Sequence, residues 1–274
     1  MGIRTTLYRS DSASPWIIIY LCSVMMTIEI GKHTVEYYGE IEEMPVVRYH
    51  KWQKAMLIEA GLGSDIASFD RHCERLRIYI ATGDKDNAQK ELDNLRQSVW
   101  LIQQEVSPRL LAFAALVTKI DGRECCDLSD DALKKVVEQL SDAPAVKLSE
   151  VIGQLKKKIE DDLCLFFPKL FDSSETKEYF GLLRNRTIEV LKKIQGKDAS
   201  PGKYEEQLAV YSSPQVFTGT EGVEVRMTKQ FESTCATLSE VLHLDAKRLT
   251  VLEFYNAFEL LDERARENRQ KRAK

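Results

Sequence analysis

From Ile66 to Val106, apolar residues recur at alternating spacings of three and four, with one interruption. The first series is Ile66, Phe69, Cys73, Leu76 and Ile80. After ATGDKD the second runs Ala88, Leu92, Leu95, Val99, Ile102 and Val106. Such spacing keeps one stripe of a helix apolar, and its heptad form lets two helices pack seam against seam. A connector this short leaves them one arrangement, an antiparallel hairpin. Asp86 and Gln89 have the spacing of a capping box for the second helix. Both series are only a few heptads long, too short for an extended rod.

The flanking segments also read mostly as helix. Thr27–Ile30 and Thr34–Tyr38 alternate around Gly31-Lys32-His33, which predicts a short β-hairpin. Pro45 suits a first helical turn, and Val46 to Ala60 continues it until Gly61. Ser107-Pro108 starts a helix whose stretch Leu110 to Val117, LLAFAALV, is apolar all round and belongs at the domain centre. Ser129-Asp130-Asp131 opens another, with Leu133, Val136, Val137 and Leu140 on one face. Val151, Ile152, Leu155, Ile159 and Leu163 mark the next, stopped near Phe167-Pro168. Asp172 and Glu175 then resemble a capping box for a helix expected to bury Phe180, Leu183, Val190, Leu191 and Ile194.

Gly196, Ser200, Pro201 and Gly202 read as a linker. Beyond it, Val223, Val225 and Met227 alternate as a strand, and Phe231, Cys235, Leu238 and Leu242 mark a helix. Thr250 and Glu253 cap a last helix bearing Val251, Phe254, Tyr255, Phe258 and Leu261. The expected fold is mainly α: a helical bundle with a short N-terminal β-hairpin and a small C-terminal α+β unit. The expected bounds are 27–196 for the hairpin and bundle, 197–213 for the linker and 214–274 for the C-terminal unit.

The first 26 residues stand apart. Trp16 to Met26 is apolar save Ser23, but shorter than the roughly 20 residues a membrane span needs. Arg4 and Arg9 precede it as in an export signal, yet no small-x-small cleavage site follows, and Leu21 is too large for a lipoprotein site at Cys22. The segment reads as a non-native upstream extension with the start at Met25 or Met26; an export signal and a buried or interfacial segment are the alternatives.

Composition narrows the function classes. Among 274 residues 43% are hydrophobic and 30% charged, which suits a globular chain, and the net charge of −4 provides no basic field for nucleic acid. The cysteines Cys22, Cys73, Cys125, Cys126, Cys164 and Cys235 contain no C-x-x-C pair and read as reduced, cytosolic thiols; Cys73, Cys164 and Cys235 read as small core residues. There is no phosphate loop, and DKDNAQ at Asp84–Gln89 begins like a calcium loop but has Ala88 in place of an oxygen ligand and Gln89 in place of the turn glycine, so it reads as a helix-start turn. Of His33, His50, His72 and His243, only His72 has an adjacent cysteine, and neighbours on a helix point about 100° apart. No catalytic residue, cofactor or metal is expected.

Two features remain as binding candidates. The aromatic stripe Phe254, Tyr255, Phe258 and Leu261 suits a partner helix. The basic end, with Arg264, Arg266, Arg269, Lys271 and Arg272, suits phosphate contacts, though the same cations also offset a helix dipole. The segments RYHKWQKAMLIEAGLGSDIASFDRHCERLRIYI, VSPRLLAFAALVTKIDG and LTVLEFYNAFELLDERARENRQKRAK resemble uncharacterised proteins from the tail-gene region of tailed phages and prophages of gut bacteria. The resemblance covers Thr27 to the end and carries over no functional residue. It implies a non-enzymatic structural-assembly protein, like a tail-assembly chaperone or a virion-associated protein. Its partners would be tail or other virion proteins, a tape-measure protein among them, with no membrane role, in the bacterial host cytoplasm or on the virion. The alternative is a nucleic-acid-associated phage or mobile-element factor using the basic helix.

Overall fold

The computed structural model describes residues 4–5, 20–21, 25–105, 107–140, 145–171, 174–211, 214–217 and 219–272. Most of the Trp16–Met26 run, Cys22, Val106 and Asp172 lie outside them. Two short strands, β1 (Arg4–Thr5) and β2 (Tyr20–Leu21), pair with each other. β3 (Met26–Ile30), β4 (His33–Tyr37), β5 (Val117–Ile120) and β6 (Arg123–Glu124) form an antiparallel sheet in that order.

The expected first hairpin is present, closed by Gly31 at φ 60° with Ile30 opposite His33. Glycine at the first central position is what a two-residue turn matching the strand twist demands. β5 and β6 are a second hairpin where the sequence reading had placed the end of a helix. Asp121 at φ 51° and Gly122 at φ 78° occupy both central positions of its turn, the arrangement that Asp-Gly favours. The apolar run therefore divides: helix to Leu116, strand from Val117, because Val117 pairs with Tyr37 of β4.

Helices follow as α1 (Val46–Gly61), α2 (Ile66–Thr82), α3 (Lys85–Gln103), α4 (Pro108–Leu116), α5 (Asp130–Leu140) and α6 (Ala145–Phe166). After the single turn α7 (Pro168–Phe171) come α8 (Ser174–Ile194), α9 (Gly202–Tyr211), α10 (Val223–Leu242) and α11 (Val251–Arg272). The centre is α4, as its all-round apolarity predicts: Ala112, Phe113, Ala115 and Leu116 have no exposed surface. Around it lie Val35 and Ile120 from the sheet, Trp52 from α1, Leu133 from α5, and Ile152 and Ile159 from α6. Burying one such side chain contributes about 1.5–3 kcal/mol.

The C-terminal segment is helical, not α+β. Val223–Met227 begins α10 because Val223 and Met227, one turn apart, both pack on Leu62, Leu101 and Phe217. The capping box at Thr250 and Glu253 is present in both directions, at 2.9 and 3.3 Å. It stands directly on the N-terminal part of the chain. Val46 N–H donates to the Leu249 carbonyl at 2.9 Å, Val251 N–H to Met44 at 2.9 Å, and Leu252 N–H to Ile41 at 3.1 Å. Val251 is thereby fully buried in the central core.

Other expectations shift in detail. α3 is capped by Asp84, whose carboxylate accepts from Asn87 N–H at 3.1 Å, instead of by Asp86. The stretch assigned to a linker contains α9, which packs on α8. The intended buried face of α8 is largely exposed, Phe180 at 61%, Leu191 at 53% and Ile194 at 76%. Of the three cysteines expected in the core, Cys235 is buried, Cys73 half-buried and Cys164 exposed. No described helix is long and apolar enough to cross a membrane.

Candidate functional site

The aromatic stripe of α11 is divided between two surroundings. Phe254 is buried among Val46, Cys235 and Leu238. Tyr255 turns to the central core, its ring 5.4 Å from Phe167 and 6.3 Å from Tyr49. Leu261 is half-buried against the Phe254 cluster, and Phe258 stays 42% exposed.

Between α1, α10 and α11 these residues leave an open cup of about 270 Å³. α1 contributes Val46, Tyr49, His50 and Gln53; α10 contributes Met227, Gln230, Phe231 and Thr234; α11 contributes Phe254, Tyr255 and Phe258. The His50 ring stacks on Phe231, centroids 4.1 Å apart and planes 5° from parallel. His50 is buried, and its Nε2 has no hydrogen-bond partner among the described residues. Burial, reinforced by Lys54 and Lys51 and opposed by Glu232, pushes the imidazole down to about 4. It is therefore neutral near pH 7 and offers an unused polar atom inside an aromatic wall. Burial also raises the Tyr49 and Tyr255 phenols, so both stay protonated.

Three of the four sequence-predicted partner residues thus meet in one cup. The signal for its α1 wall was weaker: His50 lies within a helix whose apolar pattern gives it no special place. Of the basic residues, Arg264 and Arg266 are exposed on α11, and Arg266 Nη2 donates to Asp262 at 2.6 Å. The side chains of Arg269, Lys271 and Arg272 lie outside the described ones.

Two buried charged groups escaped the sequence reading. Arg48, on α1, donates to the carbonyls of Ala115 at 2.9 Å, Val117 at 2.8 Å and Cys125 at 2.5 Å. Its guanidinium thus locks the strand start of β5 and the segment after β6 onto α1. Only a planar fork reaches three such acceptors, so lysine is no substitute. The second group lies between α2 and α3. These helices pair, but not through the predicted apolar seams: Ile66 and Ile80 are 74% and 67% exposed, and the most deeply buried face is polar, Ser68, His72, Glu91, Asn94 and Ser98. His72 Nδ1 lies 2.6 Å from Glu91 Oε1, and His72 Nε2 donates to the Leu62 carbonyl at 2.8 Å. The carbonyl can only accept, so Nε2 carries hydrogen and one further proton must lie between Nδ1 and Oε1. Asn94 Nδ2 donates to the Gln215 carbonyl at 3.0 Å. Both polar residues therefore anchor loops of the body to the hairpin. In heptad terms His72 and Glu91 flank the two seams on one side, which was the available sign. Among the described residues no group of three histidines, cysteines or carboxylates could hold a metal.

Comparison of the chain with protein-family models, curated proteins and solved structures gave no match.

Proposed function

We propose that this chain is a non-enzymatic phage or prophage structural-assembly protein, chaperone-like or virion-associated, acting in the host cytoplasm. It binds helical segments of tail or other virion proteins, a tape-measure protein among them. The observation that carries the reading is the open aromatic cup with Phe258 at its rim and the unpartnered His50 Nε2 in its wall. An apolar anchor from a partner helix fills such a cup. Leu260, 42% exposed, extends the apolar surface along α11. The helical architecture and the resemblance in the sequence support the assembly role.

The test is co-purification with tail-assembly proteins, including a tape-measure protein, comparing wild type with Phe258→Ala. Phe258 is half-exposed, so the substitution leaves the fold intact while weakening capture about tenfold or more, the scale of a modest interface anchor. Equal recovery by both proteins removes the proposal. Capture of DNA that falls steeply with salt and is lost when Arg264 and Arg266 become glutamate would favour the nucleic-acid alternative instead.

A further inference from the structure

α1 and α3 do not pack along their lengths. They meet at one end, where Leu62, Leu101, Phe217 and Val223 are buried together. Beside that cluster lies a cleft of about 590 Å³, lined by Ile58 and Ala55 of α1, Trp100 of α3, Leu111 of α4 and Leu133 of α5. Its size and apolar lining fall in the range of small-molecule sites. Beside the cleft, His72 and Asn94 tie Leu62 and Gln215 to the α2–α3 hairpin.

The charge lining the cleft is unbalanced. Four cations line it, Lys51, Lys54, Arg96 and Lys134, against two carboxylates, Asp130 and Glu224. Lys51 pairs with Asp130 at 3.2 Å and Lys54 with Glu224 at 2.7 Å. Arg96 has only an exposed partner on its own helix, Asp93, at 3.4 Å, and Lys134 has no ion-pair partner among the described residues. Along α1 the distance from the cationic Lys51 to the apolar Leu62 is about 16 Å at 1.5 Å per residue. An apolar cleft of that length, with more cations than carboxylates along it, matches a single medium-length chain with one anionic head.

We propose that this cleft binds an amphipathic anion: an unbranched acyl or alkyl chain along its length, with its carboxylate or phosphate head between Arg96 and Lys134. The site is distinct from the aromatic cup and does not depend on the assembly reading.

Calorimetric titration of the full chain with monomeric laurate, dodecyl phosphate and dodecanol tests it. Saturable binding of one laurate or dodecyl phosphate per chain is expected, at least tenfold tighter than dodecanol. Lys134→Glu with Arg96→Glu, both exposed, should lower laurate affinity at least tenfold with an unchanged far-ultraviolet spectrum. Ala55→Trp, which fills the cleft, should abolish binding. A preference for laurate over dodecyl phosphate identifies a free carboxylate as the ligand head, and the reverse preference a phosphate. Dodecanol binding as tightly as laurate, undiminished binding by both variants, or capture only on phosphatidylglycerol vesicles without monomer binding would overturn it. So would binding of an acidic amphipathic helical peptide that laurate cannot displace.

Discussion

Replacing Glu91 with alanine tests whether the buried polar pair between α2 and α3 holds that hairpin together. The side chains of His72 and Glu91 are only 4% and 0% exposed, so neither charge can reach water when its partner is removed. Breaking such a pair from one side costs about 3–5 kcal/mol, because the remaining polar group keeps its desolvation penalty. For a folded unit of this size, roughly 2–4 °C in Tm accompanies each kcal/mol, so the loss should be about 6–20 °C. His72→Leu should cost a similar amount, since it strands the Glu91 carboxylate and the Leu62 carbonyl. The double variant His72→Leu, Glu91→Leu removes both polar side chains, leaving chiefly the carbonyl unsatisfied, at about 1–3 kcal/mol. The double variant should therefore be more stable than either single one, a strong departure from additivity. Urea denaturation at pH 7, followed by tryptophan fluorescence and far-ultraviolet circular dichroism together, gives all four corners of the cycle. A Glu91→Ala change below 1 kcal/mol, or losses that add in the double variant, would refute the reasoning.

His50 supplies a pH dependence through burial and not through an ion pair. Its folded value near 4 lies below its ordinary 6.5, so the unfolded chain binds the extra proton first. Its contribution is complete above pH 6.5 and is lost as pH falls toward 4, by up to about 3 kcal/mol; His50→Phe should flatten that limb of a stability–pH profile, and an unchanged limb would assign it to other groups. Arg48→Met should lower stability by about 3 kcal/mol or more by leaving the Ala115, Val117 and Cys125 carbonyls without their donor. Arg48→Lys should recover only part of that in the same melts, and full recovery would show that charge alone, without the fork, suffices.

What could be read from the sequence was set by periodicity. The helical periodicity of Ile66–Ile80 and Ala88–Ile102, the all-round apolarity of α4 and the reciprocal cap at Thr250 marked helices and a helix start that the fold keeps, although Ile66 and Ile80 are exposed and a polar face is buried in place of the seam. The failures share a cause: a short local pattern was overruled by a distant contact. Val223, Val225 and Met227 alternate, but packing of Val223 and Met227 against Leu62 and Phe217 needs a helix. Val117 continues an apolar run, but Tyr37 draws it into a strand. For the cup, Phe254, Tyr255 and Phe258 could be found along α11, whereas His50 and Phe231 acquire meaning only when α1 and α10 meet. Arg48 and the His72–Glu91 pair look like ordinary helix-surface residues until the fold removes their water.

The stitching of Leu249–Leu252 to Ile41–Val46 sets an order of events during synthesis. Val46 and Leu249 are hydrogen-bonded partners separated by 203 residues. At 5–20 residues per second, the ribosome takes roughly 10 to 40 s to deliver the second after the first. Throughout that interval the part of the core that Val251 will cover, and the face of α1 that receives Phe254 and Leu238, are made but unfilled. The nascent chain therefore displays an apolar surface on its oldest part until its newest helix arrives. Crowded polysomes translating this message would hold many such surfaces side by side, making synthesis, not the finished fold, the stage at which the protein is most prone to self-association.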